Sequence, residues 1–321
     1  MAKIVLGTDI STATRSSFFT KTVTAPLCIQ FSKSADGMLM PPEEPIDLDG
    51  ATDISEYIFY NAFHNLDSLT GTLKWNSLTK ITGDFACHSA FEDCGNLLGV
   101  EMDGLEYLEG NGICCYMFRD CINLEYASFK NLKRMTSTGS AGLVSQMFWN
   151  CKKLKTVDLS SLVSISGNRG GIYFFQGSGV ETINIDNLTT INGDYAGAYF
   201  LSGTNIETIN IDNLTTINGD SAGRYFLSGT KITSVNFKSL SSIASNNAMY
   251  GALQYCQNLT DVYFPALTTN SFGSYKNQFN YLLSDCTGVT LHFASGMQSK
   301  ISTLSGYPNF RGNSTVIKYD L

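Results

Sequence analysis

Charge is what this chain has least of. Asp, Glu, Lys and Arg make up 15% of its 321 residues, well under the roughly 25% of an average soluble domain. The net charge is −7 and no cluster of Lys and Arg occurs anywhere. Nucleic-acid binding needs cations that displace condensed counterions, so no nucleic-acid partner is expected. The same deficit argues against an anionic membrane surface. Long apolar runs are missing too. No stretch approaches the roughly 18 residues of a spanning helix, so membrane insertion is not expected. The opening, MAKIVLGTDISTATRSSFF, carries one early Lys and only a short apolar run, which falls short of a secretory signal. The chain is therefore expected to be cytoplasmic as made.

Chemistry-bearing patterns are scarce. There are three histidines, His64, His88 and His292. The nine cysteines are odd in number, scattered, and without a CxxC pair, a poor framework for disulfides or zinc. No P-loop, HExxH, G-x-S-x-G or dinucleotide fingerprint is expected, and no metal or cofactor is implied. The glycines of Gly167–Gly171 have no strand-to-helix context for a phosphate cradle. Cys87 or Cys94 with His88 is the nearest approach to a nucleophile pair. Both thiols sit at positions that recur along the chain, and buried free Cys behaves as a small apolar residue. Catalysis is not expected.

What the chain does have is a repeat. Residues 181–194 read ETINIDNLTTINGD, and residues 207–220 read the same, giving a period of 26. With that pair as a ruler, a large apolar residue opens nine units at Phe63, Phe91, Phe118, Phe148, Phe174, Phe200, Phe226, Leu253 and Leu283. Three residues later comes Leu66 and then a small or thiol group, Cys94, Cys121, Cys151, Gly177, Gly203, Gly229, Cys256 and Cys286. Three further on is an aliphatic residue, as in Leu154 and Val180. An alternating pair follows, such as Val157/Leu159 or Ile183/Ile185, and then Leu188 and Ile191 or their equivalents. A half unit at Ile46, Leu48, Ala51 and Ile54 precedes the first.

Residues two apart point to one face of a strand, and Asn-Gly at 192–193 and 218–219 marks a turn leaving it. One unit cannot enclose its own apolar face, but stacked units share a continuous core. At about 4.8 Å per parallel strand, roughly ten rungs span on the order of 45 Å. The pattern F-x-x-C-x-x-L-x-x-V-x-L followed by L-x-x-I resembles the BspA-type leucine-rich repeat. Its segment from Ile191 to Phe200 is longer than the I-G-x-x-A-F of that family. The resemblance implies a right-handed, β-rich leucine-rich-repeat solenoid with a parallel strand ladder, and associates it with surface adhesion.

Three regions follow. Residues 1–45 are off the period; a hairpin signal at Asp36-Gly37 and the break at Pro41-Pro42 suit a cap over the open core, or a module that docks the solenoid on a larger assembly. Residues 46–293 are the solenoid. Residues 294–321 are expected to cap it with a short helix through Met297, Ile301 and Leu304 and a last strand in STVIKYDL. This ending resembles those of repeat proteins in phage and prophage genes of gut bacteria, which makes a virion attachment protein one reading.

The outward side of the strand ladder is the candidate binding surface. It carries Thr156, Asp158, Thr182, Asn184, Asp186, Thr208, Asn210, Asp212, Ser234, Asn236, Lys238 and Tyr263, with Ser160 and Asp261 alongside. Rows of Thr and Asn hydrogen-bond sugars and peptide backbones, or simply solvate the sheet. Asp186 and Asp212 stack too few oxygens for calcium. A second row, Tyr173, Tyr199 and Tyr225, reads as half-buried packing. The expected function is non-catalytic recognition of a protein or glycan, with a purely structural spacer as the alternative.

Overall fold

The computed structural model describes Asp53–Ile54, residues 59–67 and residues 69–321. Residues 1–45 and the start of the half unit, through Ala51, lie outside the described residues. The rest is a β-solenoid of about nine turns. Its strands, numbered along the chain, are short because each spans only one side of a rung.

One side is a seven-stranded sheet of β1 (Asp53–Ile54), β3 (Lys80–Thr82), β5 (Tyr107–Gly110), β7 (Arg134–Ser137), β9 (Ser164–Ser166), β11 (Thr190–Asn192) and β12 (Thr216–Asn218). Every neighbour pairs in parallel, with Ile54 opposite Ile81 and Ile191 opposite both Ile165 and Ile217. The half unit therefore enters the ladder in the register that its Ile54 implies. A second side holds β2 (Gly71–Lys74), β4 (Leu97–Glu101), β6 (Tyr126–Ser128), β8 (Thr156–Asp158) and β10 (Thr182–Asn184). Strands β13 (Ser234–Asn236), β14 (Asp261–Phe264), β15 (Thr290–Phe293) and β16 (Val316–Lys318) form a third sheet.

The remaining side is an arc, the segment in which this chain is longer than the I-G-x-x-A-F pattern. Its backbone alternates in handedness: Ser89 and Asp93 have φ of 53° and 60°, and their rung equivalents Tyr116 and Asp120 have 60° and 61°. A left-handed residue costs about 1–2 kcal/mol if it carries a Cβ. The arc offsets this by satisfying its backbone. The amides of Ser89, Phe91 and Asp93 donate to Cys115, Met117 and Arg119 of the next rung at 2.8–2.9 Å. The intervening amides of Ala90 and Glu92 donate back to Cys87 and Ser89 of their own rung. Buried peptide groups need such partners.

These bonds also correct the repeat register. Phe118 donates to Met147, the residue before Phe148, and Phe148 donates to Phe174, the residue before Phe175. The openers of the 26-residue units are thus Phe175, Leu201 and Leu227, not Phe174, Phe200 and Phe226. The rings agree: Phe148 stacks on Phe175 at 5.3 Å and 10°, but meets Phe174 edge-on at 61°. The inward small position is then Ser178, Thr204 and Thr230, all buried. Gly177, Gly203 and Gly229 instead continue the left-handed column of Asp93, Asp120 and Asn150, with φ of 66–71°. The turn after the small residue is one residue shorter in these units, Ser178-Gly179-Val180 against Cys151-Lys152-Lys153-Leu154.

The core is continuous along the axis, with Phe63, Phe91, Phe118 and Phe148 stacked ring on ring at 4.8–5.4 Å. The Asn-Gly turns behave as their sequence implies. Gly193 and Gly219 have φ of 128° and 115°, and a Cβ at Gly219 would lie 2.2 Å from the Gly193 carbonyl oxygen. At the far end, helix α1 covers Gln298–Ile301, with Met297, Ile301 and Leu304 buried as expected. Strand β16 is the expected last strand, and it pairs with β15 as a further rung.

Candidate binding surfaces

The expected surface is assembled in two blocks. Thr156 and Asp158 on β8 lie opposite Thr182 and Asn184 on β10. Ser234 and Asn236 on β13 lie opposite Asp261 and Tyr263 on β14. Between the blocks, Thr208 and Asn210 are exposed but belong to no strand. The inward Ile183 and Ile209 of the neighbouring rungs are only half-buried, whereas Val157 and Val235 are fully packed. The polar grid is therefore interrupted where the ladder loosens.

Some of its residues have a local duty that sequence reasoning did not assign. The side-chain oxygens of Asp158, Asn184 and Asn210 accept the backbone amides of Ser160, Asp186 and Asp212 at 2.9–3.2 Å. Each closes an Asx turn at the end of the outward-facing segment of its rung. Lys238 reaches Asp212 at 3.4 Å, both groups exposed, a pair of little energetic weight. Thr156, Thr182, Thr208 and Ser234 point outward and are exposed. Nearer the N-terminus the same side carries ion pairs instead, Lys74 with Glu101 at 3.1 Å and Lys130 with Asp103 at 2.8 Å.

The thiols are structural. Cys94, Cys121, Cys151, Cys256 and Cys286 each donate to a carbonyl of the preceding rung at 3.0–3.2 Å. Burial pushes the Cys94 and Cys286 thiols up to about 12, far from a nucleophilic thiolate. His88 is stacked on Tyr60 at 5.0 Å, with Nδ1 at 3.1 Å from the Ser89 hydroxyl. Burial, and then the Arg119 charge, lower it to about 4. Among the described residues, the hydrogen bond of its ring is to Ser89 and its ring contacts are with Tyr60, Phe85 and Tyr116. Residues 219–223 read G-x-S-x-G, a pattern missed above, but Ser221 is buried on a left-handed column shared with Arg169 and Tyr195. Its hydroxyl meets only Asp220, at 3.4 Å. His64, Glu92 and Asp93 converge as potential metal ligands, yet Arg119 already pairs with Glu92.

Two clusters escaped the sequence. At the C-terminal rungs, His292 lies between Asp261 (Nε2, 3.1 Å) and Asp320 (Nδ1, 2.9 Å), its ring stacked on Tyr263 at 4.4 Å. The Thr260 hydroxyl and then His292 hold the Asp261 carboxyl below its ordinary value, and His292 does the same for Asp320. The clamp is built from three rungs, so no sequence spacing reveals it. On the arc, the tyrosine row runs further than Tyr173, Tyr199 and Tyr225. Tyr250 and Tyr281 extend it, with Arg224 and Arg311 laid over their rings. A drift from the 26-residue spacing hid the last two.

A parallel ladder with an apolar, thiol-lined interior and turns of this pattern is a repeat architecture with relatives to compare. The family described as BspA type leucine rich repeat region matches residues 49–196 and 172–287, in six copies. The chain belongs to the BspA-type leucine-rich repeat family. Its repeats are generally surface and protein-interaction modules, and a leucine-rich-repeat solenoid is typically a binding scaffold without catalytic parts. No curated protein matches the chain. Among the described residues, no helix is long and apolar enough to cross a membrane.

Proposed function

We propose that this BspA-type solenoid is a non-catalytic recognition protein, used for attachment at a cell or virion surface. The observation that carries this reading is the disposition of its polar groups. Among the described residues, five thiols donate to carbonyls of the preceding rung, and the histidines meet carboxylates or aromatic rings. The hydroxyls of Thr156, Thr182, Thr208 and Ser234 are exposed and face outward, beside Asn184, Asn210, Asn236 and Tyr263. Repeat arrays bind through such extended surfaces, where modest contacts add. The partner is a protein or a glycan.

The test is a glycan and protein array probed with the purified chain, followed by a Thr182→Lys, Thr208→Lys, Ser234→Lys variant. These three side chains close no turn and reach no core group. The expected result is a folded variant that loses at least tenfold in affinity for the array hit. Full-strength binding by that variant removes the strand face from the reading, and an array without hits leaves the spacer role.

A further inference from the structure

We propose that the tyrosine–arginine ladder of the arc is a binding site for a linear acidic glycan. This rests on the reading of the solenoid as a recognition protein, but assigns a different face and a ligand chemistry. Tyr173, Tyr199, Tyr225, Tyr250 and Tyr281 form one row, with successive ring centroids 4.7, 4.6, 5.6 and 5.0 Å apart. All five are half-buried. Because most rings lie against one another, their faces are taken, and the row offers edges and phenol hydroxyls at rung spacing. Burial raises Tyr199 and Tyr250 above the ordinary phenol value, so both remain neutral donors.

Two guanidiniums are set into this row. Arg224 lies 4.9 Å over Tyr225 and 4.5 Å over Tyr250, and Arg311 lies 4.8 Å over Tyr281. Among the described residues, neither forms an ion pair with a carboxylate, whereas Arg119 in the N-terminal half holds both Glu92 and Asp120. The Arg224 Nε is buried without a hydrogen-bond partner. A planar guanidinium stacked on rings keeps its terminal N–H groups in a fixed fork suited to a carboxylate or sulfate. In a chain of net charge −7, two such cations without acids form a local site for an anion. The bulk charge acts only over the Debye length, about 8 Å at physiological salt.

The ligand's backbone is a glycan and not an extended peptide. An extended peptide that bound by adding a strand would need free amides and carbonyls along the rungs. Here the arc's own groups are used up, as where Tyr199 donates to Arg224 and Tyr225 to Tyr250, at 2.8 and 3.0 Å. Sugar hydroxyls need only the side-chain donors and acceptors that a phenol row presents, and sparse acidic groups need only sparse cations.

The experiment measures binding of the full chain to polygalacturonate, to a sulfated polysaccharide, to neutral dextran and to poly-glutamate at fixed salt. The expected result is binding to one or both acidic glycans, little to dextran and weaker binding to poly-glutamate. Arg224→Gln with Arg311→Gln should weaken glycan binding about tenfold or more, the weight of a charge-assisted hydrogen bond. Tyr250→Phe should weaken it a few-fold at unchanged fold. Which acidic polymer binds identifies the anion as carboxylate or sulfate. Poly-glutamate binding as tightly as the glycans, or a folded Arg224→Gln, Arg311→Gln variant with undiminished binding, would overturn the proposal. So would absence of binding to either acidic glycan, and an array hit lost through the strand-face lysines would still leave the broader recognition reading standing.

Discussion

The register of the 26-residue units can be tested at Gly203 and Thr204. In the structure Thr204 is the inward residue, with its hydroxyl 2.8 Å from the Leu201 carbonyl. Gly203 is the left-handed residue beside it, with φ of 71°, and a Cβ there would meet only backbone atoms of Gly177, at 3.7 Å. Gly203→Asn should therefore be mild. Asn bears the left-handed penalty better than most residues, and removing a glycine lowers the entropy of the unfolded chain by about 0.4–1 kcal/mol. The net change should lie within about 1 kcal/mol. Asn150, in the same column at φ 61°, already shows the fit.

Thr204 should behave differently. Thr204→Cys copies Cys151 and Cys256 of the same column and should be close to neutral. Thr204→Val removes one buried hydrogen bond and should cost about 1 kcal/mol; the Leu201 carbonyl keeps the Thr204 amide at 3.3 Å. Thr204→Leu overpacks the column and should cost about 1–3 kcal/mol. Urea midpoints at constant slope measure all four. If Gly203 faced inward, as the spacing alone implies, an amide there would be buried without partners and Gly203→Asn would be the most damaging of the set. That order would refute the register.

Three further outcomes follow from the same structure. In native protein, at most one of the nine thiols should react quickly with iodoacetamide, because eight are buried and free; all nine should react after denaturation, and two or more fast thiols would sink the ladder. Asn184→Ala and Asn210→Ala should each cost about 0.5–1.5 kcal/mol through a lost turn-closing bond, seen as additive melting shifts and absent if the Asx turns carry no weight. The C-terminal clamp should be acid-sensitive. The Asp261 and Asp320 carboxyls are lowered in the folded chain, so their stabilisation is present above the ordinary carboxylate range and is lost as pH falls through the folded values. Hydrogen exchange at Ile317 should rise over that window, and His292→Ala should abolish the dependence; unchanged exchange would remove the clamp's role.

The repeat itself was legible because a core position admits few residue types. Ile183/Ile185 and Leu188/Ile191 announce two inward faces, and the structure turns each into one side of the solenoid. The register slipped where two apolar residues stand together: Phe174-Phe175 and Phe200-Leu201 both offer an opener, and both are buried. The signal that separates them was present. Asp93, Asp120, Asn150 and Asp285 each precede a Cys, and Asp and Asn tolerate the left-handed conformation that glycine accepts freely. Reading Gly177 with that series places Ser178 beside the cysteines. The His292 clamp left no such trace, because Asp261 and Asp320 come from different rungs and meet only through the stacking.

The duplicated segment shows how far neighbours override local sequence. Residues 181–194 and 207–220 are identical, yet Thr182–Asn184 pairs with Thr156–Asp158 while Thr208–Asn210 forms no strand. Intrinsic propensity cannot separate two copies of one sequence, so the difference lies in what each copy stacks against. The rung before the first copy presents a well-packed Val157, 4% exposed. The rung before the second presents Ile183, itself only half-buried. In a stacked array each unit is stabilised mainly by its nearest neighbours, and a loosened rung passes its looseness to the next until a packed residue, here Val235, restores the ladder. The strand face is thus two short paired grids joined by a rung without strand pairing. A ligand that spans both must cross Thr208–Asn210, where no strand pairing runs, whereas the arc is hydrogen-bonded from rung to rung through the same units.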